Sequence, residues 1–209
     1  MPSRTSVGES PSSTAASTPS TSRAPTLTLS SLICQALTLP PAVLATMARL
    51  LGQPDDAARK VWRVIDAAVS AAAQSLAPEA RNTRVYFEVS RGPYGAGESS
   101  FIGETLTRLG VKNIVPASLG PFPRLNPEFV VRANPDLIMM GNRSMQNMVP
   151  YPGWDTIKAV REQRVCVFGP DDSDTVVRPG PRMAEAARLM AQCINDKMAR
   201  QPRPVAARP

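Results

Sequence analysis

The chain has 209 residues, 43% of them hydrophobic and only 5% aromatic, with a formal net charge of +7. That length allows one full domain, or one domain with tails, and the apolar fraction is ample for a core. Histidine is absent altogether, which removes Ser-His-Asp and Cys-His catalysis, histidine metal sites and a histidine general base.

The positive charge does not point to nucleic acid. Residues 84–195 carry 13 basic and 11 acidic side chains, whereas the last fourteen residues carry 4 and 1. Nearly half of the excess therefore sits in residues 196–209, where Lys197, Arg200, Arg203 and Arg208 stand among Pro and Ala. This basic tail is expected to be disordered. No folded stretch interleaves a basic stripe with aromatics, so no nucleic-acid partner is expected.

At the other end, residues 1–31 contain 16 Ser or Thr and 4 Pro. Such a segment buries too little surface to offset its ordering entropy, and residues 1–36 are expected to be disordered. The charged start is not followed by an apolar stretch, so no signal peptide is read in this chain. The apolar patch from Leu32 to Leu51 is interrupted by Pro40-Pro41 and by polar residues, which rules it out as a membrane span.

Residues 41–80 read as helical. "PAVLATMARLLG" stops at Gly52, a residue suited to ending a helix. "PDDAARKVWRVIDAAVSAAAQSL", Pro54–Leu76, opens with Pro and two acids, the favoured chemistry of a first turn. Ala58, Val61, Ile65, Ala68 and Ala72 recur at three- and four-residue steps, so this long helix should pack along one side.

From residue 84 to 195 the pattern alternates. Strands are expected at Arg84–Val89, Lys112–Val115, Leu137–Met140 and Arg164–Phe168. Helices are expected near Ser99–Leu109, Pro127–Ala133, Trp154–Arg161 and Pro181–Met198. Alternating strands and helices indicate a parallel sheet covered by helices. The fold class is α/β: a single Rossmann-like lobe with a small parallel sheet flanked by helices, preceded by a long helix.

In such sheets ligands bind beyond the carboxyl ends of the strands. The four loops there are "SRGPYGAGESS", "PASLGPFPRLN", "GNRSMQNMVPYPGW" and "GPDDSDTVVRPGPR". They gather Tyr94, Phe122, Met145, Met148, Tyr151, Trp154, Arg178 and Arg182, a set suited to a large, flat, partly anionic ligand. "GPYGAG" does not have the glycine order of a dinucleotide fingerprint and no P-loop lysine follows it. "DDSD" lacks calcium-loop spacing and reads as a solvated turn. Cys34, Cys166 and Cys193 have no zinc or redox spacing; Cys166 and Cys193 read as buried free thiols. No metal site and no catalytic residue are expected.

In "RLNPEFVVRANPDLIMMG", Asn126 caps, Pro127 takes the first helical position and Glu128 complements the helix dipole, while Asn134-Pro135 ends the helix before the next strand. Together with "RVYFEVSRGPYGAGESSFIGETLTRLGVKNIV", "GWDTIKAVREQRVCVFG" and "RPGPRMAEAARLM", this block resembles the periplasmic binding proteins of ABC importers for vitamin B12, iron-siderophores and haem. The resemblance covers residues 41 to 195. It implies that Pro54–Leu76 is the helix joining two lobes and that residues 84–195 are the carboxyl-terminal lobe. It further implies that Tyr94, Phe122, Asp174 and Arg178 contact the ligand and that Glu128 docks on arginines of the membrane permease. The cargo would be cobalamin, a ferric siderophore or haem, the partner an inner-membrane permease, and the location periplasmic.

The family's amino-terminal lobe should precede the joining helix, where this sequence has a Ser/Thr/Pro-rich stretch. The expectation is a truncated or misread frame in which residues 1 to about 36 do not belong to the original protein. Two further readings stay open at this stage: a Rossmann-like nucleotide-binding enzyme domain, and a non-functional fragment.

Overall fold

The computed structural model describes residues 41–141, 151–180 and 182–199. Segment 1–36, residues 200–209 of the basic tail and the loop carrying Met145 and Met148 lie outside the described residues, so the expectations made for them are not addressed by it.

Two helices come first, α1 (Pro41–Leu50) and α2 (Asp55–Gln74). Gly52, at φ +67, makes the turn between them, its N–H donating to the Arg49 carbonyl at 3.0 Å. α2 buries Ile65, Val69, Ala72 and, just past its end, Leu76. The expected stripe through Val61 is thus rotated toward Val69, and Val61 and Val64 are exposed.

The sheet contains β1 (Arg84–Ser90), β2 (Tyr94–Gly95), β3 (Lys112–Asn113), β4 (Leu137–Gly141) and β5 (Val165–Phe168). β1 pairs in parallel with β4, from Val85 opposite Leu137 to Glu88 opposite Met140, and β4 pairs in parallel with β5. The other edge of β1 is shared. β3 takes its first residues in parallel, and β2 takes Glu88 and Ser90 in antiparallel fashion. The sheet is therefore mostly parallel rather than wholly so. The antiparallel strand arises because Gly92, at φ +128, turns the chain straight back on β1.

Side chains alternate across β1 and divide the core in two. Val85 and Phe87 face α2, α3 (Phe101–Arg108) and α7 (Met183–Ala199), among Ile65, Val69, Ile102, Leu106, Met190 and Ile194. Tyr86, Ile138 and Met140 face the opposite layer, with Val115, Leu125, Val130, Trp154 and Ile157. That layer holds α4 (Pro127–Ala133), a 3-10 turn (Trp154–Thr156) and α5 (Lys158–Arg161). The helix expected over Trp154–Arg161 is thus two short pieces, broken at Ile157, whose φ and ψ are extended.

Local signals act as their chemistry requires. The Ser100 side chain caps α3 by accepting from Gly103 N–H at 3.0 Å, and Asn126 caps α4 by accepting from Glu128 N–H at 3.0 Å. Asn134 closes α4 in the left-handed region, at φ 43.

Three further expectations are corrected. "DDSD" is not a turn: it lies in α6 (Pro170–Val177), where Pro170, Asp171 and Asp172 start the helix and Thr175 and Val176 are buried. α7 runs to Ala199, so residues 196–199 are helical rather than part of a tail. Cys166 and Cys193 are not free thiols but a disulfide, with Cα atoms 6.3 Å apart, joining β5 to α7. Cys166 faces the layer that α7 covers, so the bond comes from tertiary packing and not from any sequence spacing.

This bond spans a separation of 27 residues. Replacing both cysteines with Ala should lower the unfolding free energy by about 3–4 kcal/mol, read from urea melts, and reductant should do the same to the unaltered chain. Asn126→Ala should lower it by about 1 kcal/mol through loss of the cap. Equal melts for the reduced and oxidised chains would remove the disulfide from the account.

Candidate functional site

β1 feeds β3 on one side of it, whereas β4, on the other side, feeds β5 further out. β1 and β4 are thus neighbours whose next strands lie on opposite sides, and the region beyond their carboxyl ends is the usual place for a ligand in an open α/β sheet. The loops after β1 and β3 form one wall of it and are joined along their backbones. Gly95 N–H donates to Pro123 O at 3.1 Å, Gly97 N–H to Pro121 O at 2.8 Å, and Leu125 N–H to Pro93 O at 3.0 Å. The Glu98 carboxylate also accepts from Ala117 N–H at 3.2 Å.

This pairing explains the glycines. A Cβ on Gly97 would collide with the Gly120 carbonyl oxygen, so close approach of the two loops demands glycine there. It also speaks against a phosphate cradle. Such a cradle needs free N–H groups, and here those of Gly95, Gly97 and Glu98 are all committed to carbonyls.

Tyr94 sits on β2 and is 38% exposed. Phe122 has turned inward and packs against the main core, its ring edge-on to Phe101 at 6.1 Å. Tyr94 and Phe122 thus share one wall but not one role. Asp174 and Arg178 lie at the far end of α6 and pair with each other at 3.3 Å, with Arg178 largely exposed. Glu128 is exposed at the start of α4. Tyr94, Phe122 and Glu128 lie on the segments that follow β1 and β3, whereas Asp174 and Arg178 lie on α6, after β5.

A residue not singled out from the sequence lies at the centre. Glu88, near the end of β1, is 2% exposed. Its Oε1 accepts from the Tyr151 hydroxyl at 3.2 Å, and its Oε2 has no partner among the described residues; nor does the hydroxyl of buried Tyr86, two residues earlier on the same face. Burial pushes the Glu88 carboxyl up to about 7, against the opposing Tyr151 hydrogen bond and Arg91 charge. Burial likewise raises Tyr86 and Tyr151 above the ordinary phenol range. An unsatisfied buried oxygen costs about 1–3 kcal/mol. The alternation of "VYFEVS" already places Glu88 on the face of Tyr86; what it does not reveal is that this face is covered.

Tyr151 lies on Trp154, with ring centroids 4.5 Å apart, and the Arg91 guanidinium stands 5.4 Å from the Tyr151 ring. Trp154 Nε1 donates to the Pro127 carbonyl at 3.4 Å, at the start of α4. Two open grooves lie elsewhere. One, of about 520 Å³, runs between α2 and α7 beside Ala72 and Arg188; the other, of about 270 Å³, flanks the disulfide. Neither is lined by Tyr94, Phe122, Asp174 or Arg178. No group of three His, Cys, Asp or Glu among the described residues is placed to hold a metal ion.

No curated protein matches this chain. Solved structures do. A possible iron-binding, periplasmic solute-binding protein from Staphylococcus epidermidis superposes with a TM-score of 0.64 at 22% identity, over 76% of this chain and 62% of that one. The periplasmic haem-binding protein RhuT from a Roseiflexus species gives 0.62 at 22%, over 79% and 65%. The periplasmic vitamin B12-binding protein BtuF of Vibrio cholerae gives 0.63 at 17%, over 80% and 64%. This chain thus spans less than two thirds of the length of each, and likeness at these identities speaks for the fold. The sequence model of periplasmic binding proteins matches residues 42–171, more than half of the chain. The chain belongs to the periplasmic binding protein family, a family of substrate-binding proteins rather than enzymes.

Proposed function

We propose that this chain is the substrate-binding component of an ABC importer for cobalamin or another metal chelate, a ferric siderophore or haem. The observation that carries the reading is the divergent rim at the carboxyl ends of β1 and β4, with Tyr94 exposed on it. The three relatives above are named for iron, haem and vitamin B12. Tyr94 offers its ring to the flat face of the chelate. Arg178 offers a cation to its anionic groups, with Asp174 orienting the guanidinium.

Phe122 supports this wall from behind through Phe101. Glu128 is the docking contact for arginines of the permease: it is exposed, and a complementary rim charge sets register and association rate. The location is periplasmic. The Cys166–Cys193 bond fits that compartment, because disulfides persist in oxidising surroundings.

Titration of the purified chain with cyanocobalamin, haem and a ferric hydroxamate siderophore, read by absorbance and melting temperature, tests the cargo. One of the three should bind saturably, and Tyr94→Ala should weaken it about tenfold, the equivalent of about 1.4 kcal/mol of lost aromatic contact. Tyr94 is the cleaner probe, since Phe122→Ala removes core packing as well. The exposed Asp174–Arg178 pair is worth under about 1 kcal/mol to the fold, so Arg178→Ala should report on binding rather than on stability. A folded chain that binds none of the three would overturn the proposal.

Glu128→Arg should weaken association with the permease in proteoliposomes, the more so at low salt. Equal association by both forms would dismiss the docking role.

A further inference from the structure

The peptide of Gly92 is held from two sides. Its N–H donates to the Tyr151 hydroxyl oxygen at 2.9 Å, and its carbonyl accepts from Arg124 Nε at 3.0 Å. Arg124 belongs to the loop after β3, and Tyr151 lies on the connection between β4 and α5. Gly92 itself is in the loop after β1, at φ +128, and a Cβ there would stand 2.9 Å from the ring of Tyr94. The backbone of Gly92 thus lies directly against that ring. The Tyr151 hydroxyl that accepts from this N–H in turn donates a hydrogen bond to Glu88 Oε1.

We infer that Tyr151 and Glu88 are positioning residues of the rim: together they fix the Gly92 peptide, and through it the outward stance of Tyr94. The inference rests on the rim being the ligand face. Neither residue needs to touch the ligand.

The arrangement carries a proton dependence. Among the described residues, the titratable and charged groups around Glu88 are Tyr86 on its own strand, Arg91 in the following loop, and Tyr151 on the connection after β4. Burial holds the carboxyl near 7 against an ordinary 4.5. Glu88 buried under Tyr151 thus keeps a proton that a solvated Glu88 gives up. That burial is fully favoured below about pH 4.5 and weakens as pH rises through about 7. A proton on Glu88 also spares the site a buried charge, one of whose oxygens has no partner.

Amide hydrogen exchange at Gly92, corrected for the intrinsic effect of pH, tests this in the whole chain without ligand. Tyr151→Phe keeps the ring on Trp154 but loses both hydrogen bonds, and should speed exchange roughly tenfold or more. In the unaltered chain, protection should fall between pH 5 and pH 8 by on the order of tens-fold, following a shift of about two pH units. Glu88→Gln, which keeps an oxygen to accept from Tyr151, should retain protection and abolish that pH dependence. Unchanged Gly92 exchange in Tyr151→Phe would overturn the inference, as would a pH dependence that survives Glu88→Gln.

Cyanocobalamin, haem and siderophore titrations of the same variants separate the two claims. If the exchange pattern holds and none of the three binds to any form, the cargo reading fails and the positioning stands. If one binds Tyr151→Phe as tightly as the unaltered chain while Gly92 is freed, the positioning role fails and the cargo reading stands.

Discussion

The pairing of β1 along both edges is the constraint on which the rest of the lobe depends. One edge carries β4 over four consecutive residue pairs, and the other is divided between β3 and β2. A strand enclosed in this way must be covered on both faces, and the run Val85, Tyr86, Phe87, Glu88 is almost wholly inaccessible. Two cores follow from that alternation, and so does the divergence of loops at the carboxyl end of β1. The rim arises where the central strand has neighbours whose chains leave in opposite directions.

Stability and function conflict at one residue of that strand. Val85, Tyr86 and Phe87 bury apolar surface, which favours the fold. Glu88, one position further, buries a carboxyl with only one oxygen satisfied among the described residues. An apolar residue would serve the core better at this depth. Exceptions of this kind gather at sites where side chains have a task besides packing. Glu88 meets Tyr151 and, through it, the peptide beside Tyr94. Trp154 then ties the same cluster to the start of α4, where Glu128 stands. The wall that carries Tyr94 and the helix proposed for docking thus share one set of contacts.

Features decided by neighbours in sequence were the legible ones. α4 has the bounds that its residues predict, because Asn126, Pro127 and Asn134 each act on the backbone within a few positions. The strands β1, β4 and β5 were likewise visible as apolar runs. Features decided by packing were not. The disulfide depends on which face of β5 meets α7. The rotation of the buried stripe on α2 depends on which of its faces meets α7. α6 was read as a turn because acids dominate its start, although acids and Pro170 are also what a first helical turn favours. For the rim, the loops were legible and the roles of their side chains were not: exposure separates Tyr94 from Phe122, and only burial marks Glu88.

That separation narrows where specificity can reside. An aromatic that packs on Phe101 has little freedom to follow a ligand, since moving it would open the core. A tyrosine on a two-residue strand is held chiefly by its backbone. Its ring lies against the Gly92 backbone, which is itself held by side chains from two other segments. The rim therefore combines an aromatic backing held by packing with one aromatic surface held by hydrogen bonds. On the function proposed above, the same ring would meet chelates of different outline, and discrimination would fall to Arg178, which is exposed and could exchange Asp174 for a ligand group.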